Sequence, residues 1–190
     1  LGDIGPGVLE RGPVVSPHAP MGLDVPGSYT SWASEAAEDL HHAFTQSGPT
    51  TGLANQVADL STHYVGEAPD RVVLGGFAGQ DGGYIGEARA GGGVYFDTGD
   101  PVWDAITQGL SKPDANALAW QVNEQFLRNQ MESGVGRIDY VLDRDVYSSL
   151  EEMIIDRRDS FSAMEIDFLM KNAEAYGYRR AGESWIFEGR

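Results

Sequence analysis

The chain has no cysteine, and it has only 13 lysines and arginines against 29 aspartates and glutamates in 190 residues. The lack of cysteine excludes disulfides, a thiol nucleophile and thiolate metal ligands. The shortage of basic residues disfavours a nucleic-acid-binding protein, because contacts with the phosphates need clustered Lys and Arg. A net charge of −16 suits a basic protein partner, such as an inhibitor. No apolar run approaches the roughly 18 residues of a membrane span, so none is predicted.

Familiar catalytic motifs are missing as well. The sequence contains no H-E-x-x-H, no G-x-S-x-G, no P-loop, no EF-hand loop and no dinucleotide fingerprint. No histidine lies between Arg71 and Arg190, which disfavours histidine-based triads there and leaves Glu, Tyr, Arg or Lys chemistry open. The sequence predicts no metal site and identifies no cofactor.

Composition divides the chain into three segments. Residues 1–30 hold five of the nine prolines and are predicted to form an extended linker or arm. Residues 31–70 are predicted as a short helical connector, with one helix from about Trp32 to Phe44 and a second from about Leu53 to Tyr64. Residues 71–190 are predicted as a compact domain. Because the chain begins at Leu1 with neither Met nor a signal, we expect a larger parent polypeptide on its N-terminal side.

The pattern of residues 71–190 predicts an α+β fold, with a small mixed or partly antiparallel sheet packed by several helices. Capping patterns place helix starts at Ser111, at Ser148 and at Ser162, the last paired with Glu165 in a predicted capping box. Runs rich in Val, Ile and aromatic residues predict strands, the last two as a terminal hairpin. These runs are Val72–Leu74, Val94–Phe96, Arg137–Leu142, Tyr178–Ala181 and Trp185–Phe187.

A glycine-rich stretch, V-V-L-G-G-F-A-G-Q-D-G-G-Y-I-G-E-A-R-A-G-G-G-V-Y-F-D, occupies Val72–Asp97. Its apolar ends predict two strands around a loop and a short helix. Glycine lets a backbone approach a ligand or a neighbouring element closely. The stretch therefore predicts either a ligand-binding loop or a set of tight turns, and the pattern leaves both open.

Polar residues set among apolar ones supply the candidate site. Tyr95 and Asp97 end the strand that closes the glycine-rich stretch, and ligands tend to bind at the carboxyl ends of strands in α/β sheets. On the predicted long helix, Asn123 is a candidate to orient a substrate and Arg128 to hold a phosphate or carboxylate. The predicted catalytic residues are thus Tyr95, Asp97, Asn123 and Arg128, with Trp103 and Trp120 as stacking residues. The open alternatives are structural roles: Tyr95 as a core aromatic, Asp97 as a turn aspartate, Asn123 as a buried structural amide, and Arg128 as part of a helix ion pair.

Several spaced residues resemble one group of proteins. They are V-V-L-G at 72–75, the glycines before Tyr95-Phe96, Trp103, W-x-x-N-x-x-F-L at 120–127, S-F-S-x-x-E-I-x-F-L at 160–169, and Gly177-Tyr178. The pattern resembles C-terminal toxin domains of bacterial polymorphic toxins, which end Rhs, contact-dependent-inhibition and WXG/LXG-type secreted proteins. The resemblance covers residues 71–190, although Gly76-Phe77 stands where such domains often have Lys or Arg.

The resemblance implies a secreted antibacterial effector domain that acts in the cytoplasm of a target cell and is neutralised by a cognate immunity protein. For its activity we expect an enzyme that acts on a nucleotide such as NAD, either by consuming it or by transferring ADP-ribose. An RNA-cleaving nuclease of the tRNA type is an alternative, which the low basicity disfavours. A non-enzymatic interaction module is a third possibility.

Overall fold

A computed structural model describes residues 26–79 and 81–190, with side chains from residue 31 onward. This part of the chain forms seven α-helices and six strands. The helices are α1 (Pro26–Thr45), α2 (Thr51–Leu60), α3 (Gly83–Gly91), α4 (Gly99–Thr107), α5 (Lys112–Ser133), α6 (Leu150–Asp156) and α7 (Phe161–Asn172). The strands are β1 (Thr62–Val65), β2 (Arg71–Gly75), β3 (Gly93–Phe96), β4 (Arg137–Val141), β5 (Tyr178–Ala181) and β6 (Ser184–Phe187).

All six strands belong to one mixed sheet with the order β1-β3-β2-β4-β6-β5. Strand β2 runs parallel to β3 and β4, whereas β6 runs antiparallel to β4 and β5. The register of β2 and β4 pairs Arg71 with Arg137 and Gly75 with Val141, so these two strands end at the same edge. The predicted α+β fold with a partly antiparallel sheet is confirmed.

The described residues fall into two compact units, each discontinuous in sequence. Unit 1 contains residues 65–79, 81–95 and 127–190, and unit 2 contains residues 26–64 and 96–126. The predicted boundaries after residues 30 and 70 stay predictions, for which truncation is the test. Among the described residues, no helix combines the length and the apolar character that crossing a membrane would require.

Unit 1 combines an apolar core with a charged network on its strands. Val73 of β2, Tyr84 and Ile85 of α3 and Tyr95 of β3 pack in one buried cluster. On β4, the nearly buried carboxylate of Asp139 is held by several donors. It accepts hydrogen bonds from Arg71 Nε at 2.7 Å, Arg137 Nε at 2.5 Å and Ser184 Oγ at 2.5 Å.

Unit 2 packs helices through small side chains. Ala33, Ala36, Ala37 and Leu40 of α1 are all at most 4 % exposed, and they recur with the spacing of one helix face. This alanine face is what lets neighbouring helices come close. The buried Thr62 hydroxyl bonds the backbone, donating to Ala58 O at 2.7 Å.

Residues 26–65 depart from the predicted pattern at both ends. The predicted second helix was to run to Tyr64, but α2 ends at Leu60 and Thr62–Val65 form β1 instead. The β-branched and aromatic side chains of T-H-Y-V favour a strand, and four residues are too few to show its alternation. Residues 26–30 of the predicted arm are the start of α1, and residues 1–25 lie outside the described part of the chain.

The predicted capping box at Ser162 and Glu165 is wrong. The N-cap of α7 is Ser160, whose Oγ accepts from the Ala163 N–H at 3.1 Å. Both Ser162 and Glu165 are inside the helix, 8 % and 7 % exposed. A serine two residues upstream offers the same capping chemistry, so composition alone does not choose between them.

Candidate functional site

A pocket of about 680 Å³ opens in unit 1 where β2 and β4 end. Its volume is within the range of small-molecule sites. The lining comes from the end of β4, from the segments that follow β2 and β4, from the start of α3, and from α6 and the residue after it. These residues are Gly76, Phe77, Ala78, Gly83, Tyr140, Val141, Leu142, Asp143, Val146, Tyr147, Met153, Asp156 and Arg157.

The sheet topology makes this edge of β2 and β4 a natural crevice. The chain leaves β2 through α3 and adds β3 on one side of β2, whereas β4 lies on the other side. The strand order therefore reverses between β2 and β4. Such a switch point, at the carboxyl ends of parallel strands, is where open α/β sheets bind ligands, because the following loops diverge there.

Glycines of the loop after β2 serve two different purposes. A Cβ on Gly83 would lie 2.2 Å from Gly76 O, and one on Gly82 would lie 2.3 Å from Ala78 O, so the loop folds tightly on itself only without these side chains. At Gly76, by contrast, a Cβ would meet nothing within 4 Å and the backbone has no left-handed φ. Because Gly76 lines the pocket, its missing side chain keeps room for a ligand.

Polar groups of low exposure lie on one side of the pocket. Tyr140, the penultimate residue of β4, is 7 % exposed and its hydroxyl lies 3.9 Å from Met153 Sδ. Burial raises the pKa of Tyr140 to about 12, and the negative charge of Glu165 adds to the rise. Tyr140 therefore keeps its proton at physiological pH.

Two exposed carboxylates also line the pocket. Asp143 follows β4 in a tight turn, where its carbonyl accepts from the Tyr147 N–H at 2.8 Å and its Oδ1 from the Asp145 N–H at 3.1 Å. Asp156 accepts from the Tyr147 hydroxyl at 2.5 Å, and this bond raises the pKa of Tyr147. In each acid, one of the two carboxylate oxygens therefore accepts a hydrogen bond that orients the group.

Two of the predicted site residues, Tyr95 and Arg128, belong to unit 1. Tyr95 is 2 % exposed in the apolar cluster with Val73, and its ring meets Tyr84 edge to face at 6.3 Å. Arg128 lies over the Phe168 ring at 5.0 Å and donates to Tyr176 Oη at 3.1 Å. Neither lines the pocket at β2 and β4.

The other four predicted residues belong to unit 2. Asp97 is 2 % exposed: its Oδ1 accepts from the Gly99 N–H at 3.1 Å and its carbonyl from His63 Nε2 at 2.9 Å, as in a turn aspartate. Asn123 and Trp103 are 4 % and 7 % exposed on α5 and α4, and Trp120 is half-buried on α5. The predicted cleft built from all six residues stays a prediction.

Sequence reasoning did not select Tyr140, Asp143, Asp156 or Arg157. Only the pairing of β2 with β4 brings their segments beside the glycine-rich loop, and no local pattern shows that pairing. The available signal was the position of Asp143, which follows an apolar strand as ligand-binding residues of α/β sheets do. Among the described residues, no three His, Cys, Asp or Glu side chains are grouped so that they could hold a metal ion.

Comparison with known proteins gives no family for the chain. A scan against family models finds no match. Searches of curated proteins and of solved structures likewise find none.

Proposed function

We propose that unit 1 binds a nucleotide of the NAD type in the pocket at the carboxyl ends of β2 and β4, and that the chain consumes it as the effector domain of a secreted antibacterial toxin. The observation that carries the proposal is the pocket itself. It lies at the switch point of a mixed sheet and is bordered by a glycine-rich loop that leads into α3.

The loop supports a phosphate-bearing ligand in particular. Gly76 leaves space where any other residue would place a side chain, and the loop continues into the first turn of α3 with Gly82 as N-cap. Backbone N–H groups at the start of a helix favour anions, and the glycines let a phosphate come close to them. Arg157 supplies the positive charge among the lining side chains.

Hydrolysis is the simplest reaction for such a site. The bond between ribose C1′ and the nicotinamide nitrogen breaks, and its electron pair passes to nicotinamide. Water forms the new bond to C1′, and its proton passes to a carboxylate. Asp143 and Asp156 both line the pocket and are the acceptors available for that proton.

The alternative of RNA cleavage fits this pocket less well. An RNA backbone carries a phosphate at every nucleotide, and the chain has only 13 lysines and arginines against 29 aspartates and glutamates, too few basic residues for such a ligand. The resemblance to polymorphic-toxin domains supports the rest of the proposal: secretion, action in the cytoplasm of a competing cell, and a cognate immunity protein as partner.

The test is incubation of the purified chain with NAD⁺ and, separately, with tRNA. We expect nicotinamide release from NAD⁺ by chromatography and intact tRNA on a gel. Expression of the chain inside bacteria should then deplete NAD⁺ and stop growth. Cleaved tRNA with unchanged NAD⁺ would favour the nuclease instead, and inertness toward both would favour an interaction module.

One substitution connects the activity to the pocket. Gly76→Val should weaken NAD⁺ affinity at least about tenfold, because its side chain occupies the space that the ligand needs. Gly52→Val is the matched control: Gly52 lies on α2 in unit 2, also with nothing within 4 Å of an added Cβ. Both variants should melt like the wild type. Wild-type NAD⁺ affinity in both variants would mean that the ligand binds elsewhere.

A further inference from the structure

The hydroxyl of Tyr140 has only a weak hydrogen-bond acceptor on its donor side. A buried tyrosine hydroxyl normally finds a good acceptor. Here the neighbour on the donor side is Met153 Sδ at 3.9 Å, and a thioether is a weak acceptor. Tyr140 and Met153 both line the pocket, so a ligand bound there would lie beside them.

The surroundings keep this hydroxyl protonated. Burial and the charge of Glu165 hold the pKa of Tyr140 near 12, so it remains a donor at every physiological pH. A neutral donor whose present neighbour is a weak acceptor is suited to an oxygen that carries negative charge, because such bonds are the strong ones.

We infer that the Tyr140 hydroxyl donates a hydrogen bond to a phosphate oxygen of the bound nucleotide, beside the guanidinium of Arg157, which lines the same pocket. The inference rests on the proposed function and names the part of the ligand that this wall of the pocket recognises.

Another tyrosine of unit 1 offers a matched control. Tyr178 is also buried, and burial likewise raises its pKa to about 12. Its hydroxyl, however, donates to Val135 O at 2.6 Å, a bond within the fold, and Tyr178 does not line the pocket. The Tyr178 hydroxyl therefore stabilises the fold, whereas we assign the Tyr140 hydroxyl to ligand binding.

The experiment measures the affinity of the full chain for ADP-ribose by calorimetry, with melting temperature recorded for each variant. Tyr140→Phe should lose about 10-fold to 100-fold in affinity, the effect of one hydrogen bond to a charged group, and should melt close to the wild type. Tyr178→Phe should keep its affinity and melt lower, because the Val135 carbonyl loses its donor. Inorganic pyrophosphate should displace ADP-ribose from the wild type, and less readily from Tyr140→Phe.

Other results would overturn the inference. ADP-ribose affinity within twofold of the wild type in Tyr140→Phe would remove the hydroxyl from recognition, and failure of pyrophosphate to compete would remove the phosphate. If Gly76→Val loses binding while Tyr140→Phe keeps it, the proposed function stands and this inference fails. If neither ADP-ribose nor NAD⁺ binds the wild type, both fail.

Discussion

Units 1 and 2 reach a packed interior by different means. Unit 1 builds on parallel and antiparallel strands and carries networks of paired charge, with Asp139 held by Arg71, Arg137 and Ser184. In the described part of unit 2, Lys112 is the one lysine or arginine among nine carboxylates, and the packing relies on small side chains such as Ala36 and Ala37. Electrostatic perturbations should therefore act mainly on unit 1, and loss of packing should act most on unit 2.

Removing residues 1–70 is the strongest test of this contrast. The deletion takes α1, α2 and β1 out of unit 2 and exposes apolar side chains of the part that remains, such as Ile106, which is fully buried. We expect a loss of several kcal/mol and no single cooperative melting transition, measured by calorimetry.

A deletion of residues 1–25 is the control, since it leaves every described residue in place. It should melt like the full chain, as the composition of the predicted arm indicates. Cooperative melting of residues 71–190 at the wild-type temperature would instead confirm the predicted domain boundary and make residues 26–64 of unit 2 dispensable.

The next largest effect is expected from Asp139→Ala in unit 1. The change leaves Arg71, Arg137 and the buried Ser184 without their shared acceptor, and we expect a loss of about 3 kcal/mol in the free energy of unfolding by urea titration. Asp167→Ala removes an equally charged partner, of Lys171, from an exposed i,i+4 pair. It should cost less than about 0.5 kcal/mol. Similar losses in both would mean that the network contributes no more than surface charge.

Acid titration should test the contribution of the Asp139 carboxylate in a second way. Burial acts to raise the pKa of Asp139, but hydrogen bonds from Ser184, Arg137 and Arg71 together hold it below its ordinary value. A lowered folded pKa gives stability that is present above the unfolded pKa of about 3.9 and is lost as pH falls through the folded value. The wild type should therefore lose stability below about pH 4 more steeply than Asp139→Ala, as followed by circular dichroism. Parallel curves would contradict the assignment.

Local patterns predicted elements whose period or capping is strong. The helix α5 begins at the predicted Ser111 pattern, where the Asp114 N–H donates to Ser111 Oγ at 3.3 Å, and the hairpin of β5 and β6 lies where its turn residues indicated. Strand β1 was not predicted, because a run of four residues is too short to show a periodic pattern. The pocket was not predicted either, because its position depends on which strands pair. The pairing of β2 with β4 is determined by packing across the whole sheet.

Asn123→Ala compares the predicted cleft with the pocket. Asn123 is 4 % exposed, and removal of a buried amide leaves its neighbours without hydrogen bonds, so we expect a loss of about 1 to 3 kcal/mol in stability. ADP-ribose affinity should be unchanged, because Asn123 does not line the pocket of unit 1. Loss of activity at unchanged melting temperature would instead favour the predicted site.

The smallest expected effect concerns the start of α7, where two serines offer the same chemistry. Ser160→Ala should cost about 1 kcal/mol and lower the hydrogen-exchange protection of the Ala163 amide, because Ser160 Oγ accepts from that N–H. Ser162→Ala should leave the Ala163 amide protected, because Ser162 lies inside the helix and Ser160 is its cap. If Ser162 were the cap, as the S-x-x-E pattern indicated, its loss would expose the amide of Glu165 instead. The two variants measured together therefore show which serine caps α7.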